Sequence, residues 1–123
     1  MILVVDDEPD LLEEIVELLA RRGLAAIGER DPRLALELLA RRPEIDRILT
    51  DWRMPGLDGL AFMRAARCDP CARRDRRFVV MTGHEGETGA AHAREAGAAA
   101  VLRKPFLEAE LLEALGFGGA SES

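Results

Sequence analysis

Ile2-Leu3-Val4-Val5-Asp6-Asp7-Glu8-Pro9-Asp10-Leu11-Leu12-Glu13-Glu14-Ile15-Val16-Glu17-Leu18-Leu19-Ala20-Arg21-Arg22-Gly23 spells out one strand, one acidic turn and one helix in sequence. Residues 2–5 are uniformly apolar, as a strand covered on both faces should be. Glu8-Pro9-Asp10 opens the helix, because proline fits its first turn and acids there meet the positive end of the helix dipole. Leu11, Leu12, Ile15, Leu18 and Leu19 recur at helical spacing, Arg21 and Arg22 sit in the last turn, and Gly23 stops the helix.

The same pattern continues to the end of the chain. Leu24 to Gly28 reads as a weaker, alanine-softened strand, and Asp31-Pro32 caps a helix with the stripe Leu34, Leu38 and Leu39, ended by Pro43. Arg47-Ile48-Leu49-Thr50 is a third strand, followed by a turn-rich stretch and a helix from Asp58 to Arg67 with Leu60 and Met63 facing inward. Phe78 to Met81 is the fourth strand, and Glu85 to Ala96 a helix diluted by Gly86 and Gly89, expected to be the least stable. Ala99 to Leu102 is the fifth strand and Leu107 to Leu115 the last helix. Strict strand–helix alternation with short loops predicts an α/β fold. Its parallel sheet has right-handed crossovers and helices on both faces, and is open and doubly wound rather than a barrel.

Composition sets limits around this fold. A chain of 123 residues is one domain, able to bury roughly two thirds of its unfolded surface without metal or disulfide staples. No apolar run approaches the roughly 20 residues of a membrane span. The chain starts almost inside its first strand, so a cytoplasmic location is expected. A net charge of −6 argues against direct nucleic-acid binding. Arg73, Arg74, Arg76 and Arg77, interrupted by Asp75, read as a solvated loop. Cys68-Asp-Pro-Cys71 reads as two incidental surface thiols, since no second Cys or His pair stands at zinc spacing and no strand leads into the motif.

The chemistry gathers on one edge. In doubly wound sheets ligands bind outside the carboxyl ends of the strands. Asp6 and Asp7 follow the first strand, Asp51 the third, Thr82 the fourth and Lys104 the fifth. Three carboxylates brought together repel unless a cation joins them, and an open oxygen-lined site suits Mg²⁺. A metal-held Asp51 carboxylate is then poised as a nucleophile toward phosphorus. Phosphoryl transfer spreads charge over three equatorial oxygens, for which Mg²⁺, Lys104 and the Thr82 hydroxyl are the available partners. Gly83 leaves room for the approach. Arginine outnumbers lysine sixteen to one, and the single ammonium, Lys104, falls at this edge, where a compact point charge suits one oxygen better than a guanidinium fork.

Asp51-Trp52-Arg53-Met54-Pro55-Gly56-Leu57-Asp58-Gly59 is an Asp-x-x-Met-Pro-x-x-Asp-Gly motif. With Val4-Val5-Asp6-Asp7-Glu8, Met81-Thr82-Gly83 and Lys104-Pro105-Phe106, it resembles the receiver domain of bacterial two-component response regulators over residues 2 to about 115. The resemblance implies a flavodoxin-like (βα)5 fold with strand order 2-1-3-4-5. Residues 1–117 would form the receiver domain and 118–123 a flexible tail or cut linker. Asp51 would accept phosphate from the phosphohistidine of a sensor histidine kinase or histidine phosphotransfer protein. Asp7, Asp51 and the Arg53 carbonyl would ligate Mg²⁺, Asp6 would hold metal-bound water, and Thr82 and Lys104 would contact the phosphoryl group. Met54, Pro55 and Gly59 would shape the loop, and Pro105, preceded by a cis peptide, would aim Lys104 inward. The family implies no enzyme beyond self-phosphorylation and slow autodephosphorylation. It implies a downstream effector or homodimer contact through the fourth helix, fifth strand and fifth helix. Arg53 and His84 would flank the path of attacking water.

Val101 departs from the family, which usually carries Tyr or Phe three residues before the lysine, so the aromatic half of its switch is absent. Other classes share parts of the pattern. A flavin binder would need a Ser/Thr/Gly phosphate loop after the first strand, where Asp6-Asp7-Glu8 has the wrong sign. An aspartyl phosphatase would place its nucleophile on the first strand. A receiver that no longer takes phosphate would not be expected to keep Asp51, Thr82 and Lys104. The chain holds no effector domain, which leaves a stand-alone regulator, a phosphate shuttle or a piece of a longer protein.

Overall fold

The structure, a computed structural model, describes residues 1–53, 58–68, 75–83 and 86–117, with only the backbone for 86–90. The elements are β1 (Ile2–Val5), α1 (Pro9–Arg21), β2 (Ala26–Glu29), α2 (Pro32–Arg41), β3 (Arg47–Asp51), α3 (Gly59–Cys68), β4 (Arg77–Thr82), α4 (Gly86–Glu95), β5 (Ala100–Arg103) and α5 (Glu108–Ala114). All strand pairs are parallel, in the order β2-β1-β3-β4-β5. This is the flavodoxin-like doubly wound sheet that the alternation and the motifs led us to expect.

The period-2 alternation of each strand divides the core in two. Ile2, Val4, Leu49, Val79 and Met81 face α1 and α5, meeting Leu12, Ile15, Leu19, Leu111 and Leu115. Leu3, Val5, Ile48, Phe78 and Val80 face the other way, toward Ala35, Leu39, Phe62, Met63 and Ala93. Both faces are therefore covered, which is why the strands read as continuous apolar runs.

Some side chains fall differently from the helical stripes. Leu34 is exposed while Ala35 is buried, so the inner stripe of α2 is shifted by one residue. In α3 the buried large side chains are Phe62 and Met63, and Leu60 is only half-buried. Asp58 starts that helix, its carboxylate accepting from the Ala61 amide at 2.8 Å. In α1, Leu12, Ile15 and Leu19 are buried, whereas Leu11 and Leu18 are only half-covered.

The arginines also depart from the solvated-loop reading. Arg76 is 7% exposed, and its guanidinium donates to the carbonyls of Ile45 at 2.7 Å and of Leu39 and Arg42 at 3.0 Å. It caps the carbonyl end of α2, which would otherwise leave acceptors without partners. Arg77 is the first residue of β4 and, with Arg47, donates to the last carbonyls of α5, Ala114 and Leu115, at 2.8 and 2.6 Å. Arg67 does the same beyond α4, donating to Ala96 and Gly97 at 3.1 and 2.9 Å. A rigid fork of donors can serve several carbonyls at once, which a lysine cannot match. Arg73, Arg74 and Cys71 lie outside the described residues, and Cys68 is exposed at the end of α3.

Candidate functional site

The sheet reverses its winding between β1 and β3, and the crevice at their carboxyl ends is where such folds bind ligands. Asp6 and Asp7 leave β1 there, Asp51 closes β3, Thr82 closes β4, and Lys104 follows β5. One carboxylate oxygen from each of Asp6, Asp7 and Asp51 lies within 4.8 Å of the others. Asp6 is fully buried, Asp51 nearly so, and Asp7 exposed. The Asp6 carboxylate also accepts from the Glu8 amide at 2.9 Å, which orients it as the chain turns into α1.

Lys104 reaches back across this cluster. Its Nζ lies 3.2 Å from Asp6 Oδ2 and 3.4 Å from Asp51 Oδ2. The peptide between Lys104 and Pro105 is cis, as the motif implies. The Lys104 amide donates to the Thr82 carbonyl at 2.8 Å, so the backbone bearing the lysine continues the β4–β5 ladder. Thr82 itself is buried, and a Cβ placed on Gly83 would meet nothing within 4 Å, so space is open above β4.

Electrostatics strains the cluster. Burial raises the Asp51 pKa; Lys104 draws it down and the charge of Asp6 adds to the rise, leaving it above the ordinary carboxylate value. Burial works against the Lys104 ammonium, but Asp51 and Asp6 together outweigh it and raise its pKa. Three acids with one ammonium leave an excess of negative charge, and a hard divalent cation with oxygen ligands fits that excess. Asp6, Asp7 and Asp51 could hold one.

The loop after Asp51 is held from both sides. The Trp52 amide donates to the Met81 carbonyl at 2.9 Å and the Gly59 amide to the Trp52 carbonyl at 2.8 Å. A Cβ on Gly59 would stand 2.8 Å from the Trp52 ring and 3.0 Å from its Cα, so only glycine lets α3 start this close to β3. The Arg53 amide points to Asp51 Oδ1 at 3.4 Å, a long contact. Met54, Pro55 and His84 lie outside the described residues. Val101 is half-buried and packs against the α2–α3 side of the core.

Periodicity did not announce one feature. A groove of about 720 Å³ runs from Asp51, Lys104 and Gly83 along Leu11, Ile15 and Leu18 of α1, with Pro105 and Phe106 as its other wall. The width of the leucine stripe on α1 was its only trace in the sequence: Leu11 and Leu18 pack partly against the core and also line the groove.

Comparison with known proteins agrees with this geometry. The response regulator receiver domain family model matches residues 2–116. The phosphate regulon transcriptional regulatory protein PhoB of Klebsiella pneumoniae is 32% identical over 111 residues, covering 90% of this chain and 48% of that protein. The protein-glutamate methylesterase/protein-glutamine glutaminase 1 of Anaeromyxobacter dehalogenans is 38% identical over 109 residues, covering 86% of this chain and 30% of that one. The chain thus spans half or less of these curated relatives. A receiver domain structure from Clostridium thermocellum superposes with a TM-score of 0.84 at 28% identity, covering 98% of this chain and 95% of its own. Among the described residues no helix is long and apolar enough to cross a membrane. From the acid cluster, the returning lysine and these matches, the chain belongs to the response regulator receiver domain family of two-component systems.

Proposed function

We propose that Asp51 is the phosphoacceptor of this domain and takes its phosphoryl group from the phosphohistidine of a sensor histidine kinase or histidine phosphotransfer protein. The observation that carries this reading is the convergence of Lys104 Nζ on Asp51 at 3.4 Å and on Asp6 at 3.2 Å, beside a three-carboxylate cluster. An Asp51 carboxylate oxygen forms the new P–O bond as the P–N bond of the phosphohistidine breaks. The electron pair returns to the imidazole, which leaves as the neutral ring after protonation from solvent. Lys104 turns from its carboxylate partners to an oxygen of the transferring group, and the Thr82 hydroxyl serves a second one. Asp6, Asp7, Asp51 and the Arg53 carbonyl would hold Mg²⁺, which when bound supplies countercharge to the phosphoryl oxygens. Arg53 and His84 limit the access of water to the product.

The groove along α1 opens directly onto Asp51, so it is the surface on which a phosphohistidine-bearing partner would rest. Phosphorylation then draws Thr82 and Lys104 toward the phosphoryl group. The ladder bond from the Lys104 amide to the Thr82 carbonyl ties that movement to β5, and so to the α4–β5–α5 face offered to an effector or a second copy. With Val101 in place of a ring, Thr82 and the β4–β5 backbone would carry this signal alone. Acetyl phosphate with Mg²⁺ should add one base-labile phosphoryl group by intact mass, and Asp51→Asn should remove it. Lys104→Arg should impair the response although the charge is kept. Labelling that persists in Asp51→Asn would overturn the assignment.

A further inference from the structure

The last carbonyls of a helix have no partner inside it. In α5 these belong to Leu112, Glu113, Ala114 and Leu115, and each has a donor. The amides of Phe117 and Gly116 turn back to the Leu112 and Glu113 carbonyls at 2.8 and 3.0 Å. That turn needs a left-handed residue, and Gly116 supplies it with φ of 93°. Arg77 Nε donates to the Ala114 carbonyl at 2.8 Å and Arg47 Nε to that of Leu115 at 2.6 Å.

Arg47 also holds what lies beyond the turn. Its guanidinium carbon stands 4.2 Å from the centroid of the Phe117 ring, a cation over an aromatic face. Asp46 steadies the same group, accepting from Nη1 at 2.8 Å. Phe117 is half-buried and packs against the α1–α5 side of the core. One side chain thus grips both the last carbonyl of α5 and the ring after it. A helix running on past Leu115 would bond its next amides to these same carbonyls in another register.

The position of this grip matters. Arg47 and Arg77 are the first residues of β3 and β4, whose last residues are Asp51 and Thr82. At about 3.3 Å per residue, the grip lies roughly 13–17 Å along the strands from the phosphoryl site. None of the bonds just described involves Asp51, Thr82 or Lys104.

We propose that Arg47, Arg77 and Phe117 form a strap that fixes the exit of the chain from the receiver at the amino edge of the sheet, and that this exit stays fixed whether or not Asp51 carries phosphate. The second clause rests on the reading of Asp51 as phosphoacceptor. A module joined there starts from a mount oriented by β3 and β4, and the phosphoryl signal leaves through another surface.

Backbone amide relaxation, measured by NMR on the whole chain, reads the strap directly. The Gly116 and Phe117 amides should have order parameters of about 0.85, like rigid backbone, and should keep them with acetyl phosphate and Mg²⁺ in excess. Arg47→Ala should lower both below about 0.6. Arg47→Lys keeps the charge but lacks the planar fork, and should lower them part of the way. Wild-type values below about 0.6 would overturn the strap, a result that needs no variant to fold. Order that survives Arg47→Ala unchanged would overturn it too. A fall in order on labelling of Asp51 would overturn the fixed exit. Acetyl phosphate that leaves Asp51 unlabelled would overturn the phosphoacceptor reading and the second clause with it, while the wild-type values still decide the strap.

Discussion

Replacing Asp51 with asparagine should make the metal-free protein more stable. At an effective dielectric constant of about 20, the attraction between Lys104 and Asp51 across 3.4 Å is worth about 5 kcal/mol. Asp6 repels Asp51 from within 4.8 Å by about 3.5 kcal/mol at the same dielectric, and the exposed Asp7 adds about 1 kcal/mol on the scale of bulk water. Attraction and repulsion nearly cancel, so the desolvation of the buried Asp51 carboxylate decides the sign. Asparagine keeps the shape and removes the charge, and Lys104 remains paired with Asp6 at 3.2 Å, so no ion is stranded. A net gain of about 1–2 kcal/mol should raise the melting temperature by about 4–8 °C in a domain of this size. Thermal melts in chelator at neutral pH measure it.

The pH dependence carries its own sign. The folded-state pKa of Asp51 is raised above 3.8, so the native protein holds this proton more tightly than the unfolded chain. Wild-type stability from this group is complete below the unfolded value and is lost as pH rises through the raised one. The asparagine variant lacks that loss, so its advantage should open as pH rises through the window and close below 3.8. Mg²⁺ should reverse the order: a ligand at 100 times its Kd stabilises the folded state by about 2.7 kcal/mol, and the variant has lost a ligand. A variant that melts below wild type in chelator at pH 7 would refute the electrostatic account.

Two further outcomes follow from the same geometry. Trp52 adjoins Asp51 and is the protein's one tryptophan, so millimolar Mg²⁺ should change its emission and Asp7→Asn should abolish the change; a flat titration of folded wild type would contradict the metal assignment. Arg76→Met should cost about 2–4 kcal/mol in chemical denaturation because three carbonyls lose a charged donor inside the protein, and Arg76→Lys should recover only part of it; a loss under 0.5 kcal/mol would show that water replaces the guanidinium.

Much of this protein is legible in its sequence because its signals are local. The contrast between uniformly apolar runs such as Ile2–Val5 and stripes such as Leu12, Ile15 and Leu19 separates strand from helix, and strict alternation leaves a doubly wound sheet as the natural arrangement. Once the sheet is parallel, every strand's carboxyl end lies on one edge. Asp6, Asp7, Asp51, Thr82 and Lys104 are then gathered by topology, whatever the details of packing.

Packing alone decided the rest. A stripe of leucines on α1 says that the helix has an apolar side, but not how completely it is covered: Leu12 and Leu19 are buried in the core, whereas Leu11 and Leu18 are only partly buried against it and also line the groove. On α2 likewise the apolar pattern does not tell which residue turns inward: Leu34 is exposed and Ala35 buried. Arg76 looked like one member of a basic run because its carbonyl partners are 31 to 37 residues away in the chain, and no local pattern records them. Lys104 and Asp6 are 98 residues apart. The sequence determined that each would reach the same edge of the sheet. Their separation of 3.2 Å, and the imbalance of charge that follows from it, exists only when β1, β3, β4 and β5 lie side by side, because Coulomb energy depends on distance in space and not along the chain.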